Sequence, residues 1–171
     1  ENIEQALALD PYLIDAYNTR GAIYKNTGLF DKALRDFNKV IELAPLNARA
    51  YSNRASVYGM TGHVDQALAD CDRAIELHPA YAQAYGNRGA LYKVKGLRDK
   101  ALADFDHALK LQPDNAEAYS NRASLFENNG EWDKALADAE QAIKLRPTFA
   151  EAYNNRGYVY KSKGFLDLAL A

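Results

Sequence analysis

A tyrosine recurs every 34 residues, at Tyr17, Tyr51, Tyr85, Tyr119 and Tyr153. Proline keeps the same beat at Pro11, Pro45, Pro79, Pro113 and Pro147, and glycine at Gly28, Gly62, Gly96, Gly130 and Gly164. A fixed period of this length means one supersecondary unit, copied and stacked so that each copy buries its apolar side against the next. Such a stack offers a long surface rather than a closed pocket. The chain therefore reads as a binding scaffold before any single residue is considered, but the period does not say what is bound.

Each period holds two helical segments. In the first, Ala16, Tyr17, Arg20, Gly21 and Tyr24 follow the i, i+3, i+4, i+7 rule of a helix with one apolar face. Gly28 follows, where glycine accepts the left-handed backbone beyond a helix end. Asp31, with Asp65, Asp99, Asp133 and Asp167 at the same place, is expected to cap the second helix. That helix carries Ala33, Leu34, Phe37, Val40 and Ile41 as its apolar stripe, and Pro45 ends the unit because it cannot continue a helix. The expected fold is all-α, an α-solenoid of stacked antiparallel helix pairs running through residues 1–171 as one domain. Residues 1–13 read as the remnant of a preceding unit, 14–47, 48–81, 82–115 and 116–149 as complete units, and 150–171 as a partial one.

Composition narrows the function. Net charge is −2 with acids and bases interspersed, which disfavours a nucleic-acid partner, since that needs a clustered basic face. No apolar run approaches the roughly 18 residues of a membrane span. The single cysteine, Cys71, excludes a disulfide framework and a cysteine-rich metal site, and it occupies the slot of Phe37, Phe105 and Ala139 as core filler. His63, His78 and His107 fall at three different places in the period and form no ligand spacing. No metal, cofactor or catalytic residue is expected, and no compartment is readable.

The chain resembles the tetratricopeptide repeat family. The match rests on Tyr17, Gly21, Tyr24, Ala33, Phe37 and Pro45 in the first unit, and on Tyr85, Gly89, Tyr92, Ala101, Phe105, Ala108 and Pro113 in the third. The resemblance implies a right-handed superhelix with the first helices lining a concave side. One departure is regular. Where the family commonly has leucine before the small residue, this chain has Arg20, Arg54, Arg88, Arg122 and Arg156.

Two polar series stand out against that frame. Each arginine lies on the apolar stripe, where an unpaired guanidinium is costly. Asp36, Asp70, Asp104 and Asp138 follow 16 residues later, about 40° round the second helix from its buried stripe. Ion pairs Arg20–Asp36, Arg54–Asp70, Arg88–Asp104 and Arg122–Asp138 are therefore expected to tie the two helices of each pair. The second series is Asn53, Asn87, Asn121 and Asn155, two residues after each tyrosine and so turned about 200° from the core. An amide offers a donor beside an acceptor, matching an extended peptide backbone. Asparagines so placed can hold a peptide, or bond the neighbouring pair's backbone and help stacking, and one residue can do both. The resemblance adds that superhelices of O-linked GlcNAc transferases carry such a ladder. The two-carboxylate clamp of chaperone-binding relatives is absent, because Asn18, Ala22, Gln83 and Asn87 stand where its other residues are needed.

The expected function is a non-catalytic scaffold binding a protein or peptide partner, an extended segment or a helix, on the concave face. Asn53, Asn87, Asn121 and Asn155 would hold the segment, with Arg49, Met60, Lys93, Val94, Glu127 and Lys161 adding local selectivity. The alternative is the substrate-recruiting arm of a larger enzyme, such as a glycosyltransferase. Head-to-tail self-association is a further expectation: Ile3, Ala6 and Leu7 at one end and Tyr153, Tyr160, Phe165 and Leu170 at the other look short of partners.

Overall fold

Helix follows helix along the whole chain, as the period demands. The computed structural model describes residues 2–169, all-α and without strands. The helices are α1 (Asn2–Leu9), α2 (Ile14–Asn26), α3 (Phe30–Leu43), α4 (Ala48–Met60), α5 (Val64–Leu77), α6 (Ala82–Val94), α7 (Arg98–Leu111), α8 (Ala116–Glu127), α9 (Trp132–Leu145), α10 (Ala150–Ser162) and α11 (Leu166–Ala169). They form repeated helix pairs, such as α2 with α3, α4 with α5 and α8 with α9. The chain divides into two compact units, residues 1–91 and 92–171.

The glycine beat has a backbone cause. Gly28, Gly62, Gly96, Gly130 and Gly164 all have positive φ, between 71° and 82°. That left-handed step lets the next amide reach back to the last turn of the first helix: Leu29 N donates to Tyr24 O at 2.8 Å, and His63 N to Tyr58 O at 2.8 Å. The same closure sets where the second helix begins, and it corrects the capping role expected of Asp31. The cap is Leu29, without a side-chain hydrogen bond, and Asp31 lies inside the first turn. His63, Leu97 and Glu131 cap the later second helices in the same way. The carboxylates there still favour the positive helix end. Side-chain capping occurs on the first helices instead, where Asn47 accepts from Ala50 N and Asn115 from Ala118 N, both at 3.0 Å.

The tyrosine and proline beats are linked. Tyr51 donates its hydroxyl to Pro45 O at 3.2 Å, Tyr85 to Pro79 O at 3.2 Å and Tyr153 to Pro147 O at 3.1 Å. The ring thus packs on the helix pair while its polar tip fixes the turn that precedes it.

In residues 1–91, Ala33, Phe37 and Val57 form one buried cluster with Tyr24, Phe30 and Leu34 against it. Ala55, Ala67, Cys71 and Leu91 form another with Tyr58, Val64 and Leu68. In residues 92–171, Phe126, Ala135 and Val159 play that part, with Leu102, Trp132 and Leu136. Ile3 and Ala6 are half-buried and Leu7 is buried. Tyr153 and Phe165 are exposed, and Leu170 lies outside the described residues.

Arg20, Arg54 and Arg122 each link three helices. Arg20 on α2 sends Nε and Nη2 to Asp36 on α3, at 2.9 and 2.8 Å, and Nη1 to Glu4 on α1 at 2.7 Å. Arg54 on α4 makes the two-pronged contact with Asp70 on α5, both prongs at 2.7 Å, and reaches Asn38 on α3 at 2.6 Å. Arg122 on α8 repeats this with Asp138 on α9 and Asp106 on α7. Arg88 pairs with Asp72 on α5 at 2.7 Å. The hydrogen bonds to Asp36 and Asp138 raise the pKa of Arg20 and Arg122 above the already high arginine value, so these guanidinium charges are permanent.

Candidate functional site

The candidate residues lie on the first helices α4, α6, α8 and α10. From Tyr51 onward an asparagine stands two positions past each repeating tyrosine, and Lys93, Glu127 and Lys161 stand six positions past Asn87, Asn121 and Asn155.

The asparagines are half-buried, and their amides are engaged to different degrees. Asn87 Nδ2 donates to Ser52 O and Ser52 Oγ, both at 3.1 Å, and its Oδ1 accepts from Gln83 Nε2 at 3.0 Å. Asn155 Nδ2 donates to Ser120 O at 2.8 Å and Ser120 Oγ at 3.1 Å. These two amides therefore pin one first helix to the previous one through a serine that is itself buried. Asn53 differs. The residue in the serine's place one period earlier is Asn18, fully buried, with its Oδ1 unpartnered. Among the described residues Asn53 makes no side-chain hydrogen bond. Asn121 is engaged through its oxygen only, which accepts from Lys93 Nζ at 2.9 Å.

The selectivity residues fall into two groups. Arg49, Met60, Val94 and Lys161 are exposed, Met60 at 59% and Val94 at 72%. Lys93 and Glu127 are half-buried. Burial lowers the pKa of Lys93, and the nearby Glu127 charge only partly opposes this. Burial likewise raises the Glu127 carboxyl to about 7, again partly opposed by Lys93. Glu127 Oε1 is enclosed and has no hydrogen-bond partner. The two groups thus sense each other without forming an ion pair, because the Lys93 ammonium is turned to Asn121.

Composition alone did not reveal the serines under Asn87 and Asn155, nor the acids and amide (Glu4, Asn38, Asp72 and Asp106) that take the outer edge of each arginine. The signal was available. Each of those four residues lies 16 positions before its arginine, the mirror of the aspartate 16 positions after. Among the described residues no three His, Cys, Asp or Glu side chains gather as a metal site would require. No described helix is long and apolar enough to cross a membrane.

Comparison with known proteins fits this geometry. A profile described as tetratricopeptide repeat matches residues 14–47, 48–81 and 82–115, another of that description matches 105–137, and one described as TPR repeat matches 125–164. No curated protein matches. Among solved structures, the chain is similar to TTC0263, a thermophilic TPR protein of Thermus thermophilus, at 26% identity and TM-score 0.81, over 93% of this chain and 87% of that one. It is similar to MamA at 27% identity and TM-score 0.69, over 92% and 86% of the two chains. YrrB, described as a TPR protein with an unusual peptide-binding site, shares the fold at 21% identity and TM-score 0.67, over 99% and 88%. Taken with the helix pairs, the positive-φ glycines and the stacked small residues, these matches place the chain in the tetratricopeptide repeat family.

Proposed function

We propose that this repeat scaffold holds an extended segment of a partner protein along the asparagine-bearing face of its first helices. The fold is that of a protein-interaction scaffold, and the finer reading rests on one observation: the asparagine amides are not all used up by the fold. Asn53 is half-exposed with donor and acceptor unspent, and Asn121 keeps its amide N–H groups. Asn155 keeps its oxygen. A peptide backbone presents one N–H and one C=O per residue, and unspent amides satisfy both. Met60, on the same helix as Asn53, adds exposed apolar surface. The chain acts in this reading without chemistry of its own.

Affinity capture of partner proteins from a lysate, followed by mass spectrometry, supplies the ligand. The paired substitution Asn53→Ala with Asn121→Ala then tests the face. Each lost backbone hydrogen bond is worth about 1 kcal/mol, so the pair weakens binding by about tenfold to thirtyfold, while the melting temperature moves little. Unchanged affinity in that double variant overturns the reading.

A further inference from the structure

We infer that the cavity lined by Lys93, Arg98 and the residues at the end of α8 takes the carboxylate of an aspartate or glutamate side chain in the bound segment. The inference rests on the extended-segment reading above and names the chemistry of one position in it.

The cavity measures about 170 Å³ and is lined by Lys93, Gly96, Arg98, Leu125, Asn128 and Asn129. That is several times the roughly 30 Å³ share of one water, room for a carboxylate and its stem. Leu125 is buried, Lys93 and Arg98 are half-buried, and Asn128 and Asn129 are exposed. None of the six lining residues is an acid. Asn121, Leu125 and Asn128 follow the i, i+4, i+7 rule, so the cavity adjoins the asparagine face. Lys93 Nζ ties the two, since it donates to Asn121 Oδ1 at 2.9 Å.

The repeat marks Arg98 as an exception. Its place holds Phe30, Val64, Trp132 and Leu166 in the other units. Phe30, Val64 and Trp132 pack against the buried clusters. Stacking therefore calls for an apolar side chain there, and it gives no reason for a cation. The third unit alone joins such a cation to the lysine at position 93.

Both cations have hydrogen-bond donors to give. Arg98 Nη2 donates to Glu131, while Nη1 makes no hydrogen bond among the described residues. Lys93 has further N–H groups beyond the one given to Asn121, and the Asn128 side chain is uncommitted among the described residues. Charge favours an acid. Glu131 also accepts from Lys134 Nζ at 2.7 Å, so one carboxylate serves two cations. Asp99 lies 3.6 Å from Arg98, but its side chain stands in solvent, where screening is strongest. Burial lowers the Lys93 pKa and the Glu127 charge only partly opposes this, so that ammonium is short of counter-charge as well. A guest carboxylate supplies it, a guest lysine or arginine is repelled, and a carboxamide brings no charge. The segment runs on along α8 and α10 in the reading above, so the carboxylate belongs to a side chain rather than to a chain end.

Two measurements test this on the full chain. First, Nα-acetyl-glutamate methylamide and its glutamine and lysine counterparts are titrated in at constant ionic strength while the side-chain amide resonances of Asn128 and Asn129 are followed. The glutamate probe shifts both, and the other two do so at least threefold more weakly. Equal shifts from all three, or none from the glutamate probe, overturn the inference. Second, a positional-scanning decapeptide library with blocked ends is retained on wild type, Lys93→Gln and Arg98→Leu. Wild type enriches aspartate and glutamate at one register, and each variant loses at least threefold of that enrichment. Arg98→Leu restores the residue type of the other units, so its melting temperature is expected to stay level or rise. Identical preferences in all three proteins overturn the inference while leaving the extended-segment reading standing; a lowered melting temperature in Arg98→Leu beside them assigns Arg98 to the fold. A glutamate-probe shift together with a library that retains nothing supports the carboxylate site and overturns the extended-segment reading.

Discussion

The first two helix pairs, α2–α3 and α4–α5, have the same backbone plan and solve the same packing problem in opposite ways. In the first, Gly21 faces Phe37, and a Cβ at Gly21 would sit 2.8 Å from Phe37 Cε1. In the second, Ala55 occupies the glycine's place and Cys71 the phenylalanine's, both buried. The contact is made differently: no side chain against a ring, or a methyl against a thiol. Alanine and cysteine together are smaller than glycine and phenylalanine, and Leu91, with Tyr58, Val64 and Leu68, packs beside them in the second pair. Along the sequence the alternation continues at Gly89 with Phe105, and at Ala123 with Ala139.

Breaking that comparison gives the largest effects. Phe37→Ala leaves a ring-sized void over a glycine that cannot fill it, and we expect a loss of about 4 kcal/mol, whereas Cys71→Ala costs about 1 kcal/mol; chemical denaturation of the two variants measures the difference. Equal losses would mean that the two pairs are not packed in the alternative ways described.

The polar links should be the same in both pairs, since they do not depend on how that contact is made. Arg54→Leu strands the buried Asp70 carboxylate and is expected to cost about 3 kcal/mol, while Arg54→Leu with Asp70→Leu recovers most of it. Arg20→Leu behaves alike in the first pair. A double variant as unstable as the single one rules out the two-pronged contact as the reason for the loss.

Gly21→Ala and Ala55→Gly sharpen the comparison at smaller scale. The first gains helix propensity but drives a methyl into Phe37, for a net cost of about 1–2 kcal/mol; the second costs about 1 kcal/mol for the flexible backbone alone. Combining Gly21→Ala with Phe37→Cys imitates the second pair and should restore part of what Gly21→Ala loses. Thermal melts of the three variants decide it.

The asparagines extend the contrast to the surface. Asn87→Ala breaks the link to Ser52 and lowers stability by about 1 kcal/mol, while Asn53→Ala, which has no such link, changes it by a few tenths at most. If both are neutral, the serine contact contributes nothing to stacking. The smallest effect is pH-dependent. The folded Glu127 carboxyl sits at about 7, raised from 4.5 by burial. Its ionised form therefore disfavours the fold, a penalty absent below about pH 4.5 and complete above about pH 7. Glu127→Gln should raise the melting temperature at pH 8, by no more than about 1 kcal/mol of stability once solvent screening is allowed for, and should give no gain at pH 4. A gain independent of pH would assign the effect to packing.

Much of the architecture was legible because it is written as repetition. Five copies of one pattern expose the helix pair, and Gly28 and its counterparts mark where the backbone must turn. The start of the second helix was misjudged by two residues. Asp31 has the chemistry of a cap, but the hydrogen bond from Leu29 N to Tyr24 O had already fixed the entry of the chain. The asparagine series was legible as a face and not as a set of roles. Whether an amide is spent depends on the residue 35 positions earlier, on another helix, and only the serine there accepts.

The sequence by itself determined the repeating helix pair, the apolar stripe of each helix, and the 16-residue spacing from Arg20, Arg54, Arg88 and Arg122 to an acid. These follow from periodicity, which is a local property. The tertiary structure alone decided which arginine edge reaches the preceding pair, why Asn87 is engaged where Asn53 is not, and that Lys93 turns to Asn121 rather than to Glu127. Those outcomes depend on distances of a few tenths of an ångström between helices far apart in the chain. Hydrogen-bond geometry is sensitive to such distances, and residue spacing is not.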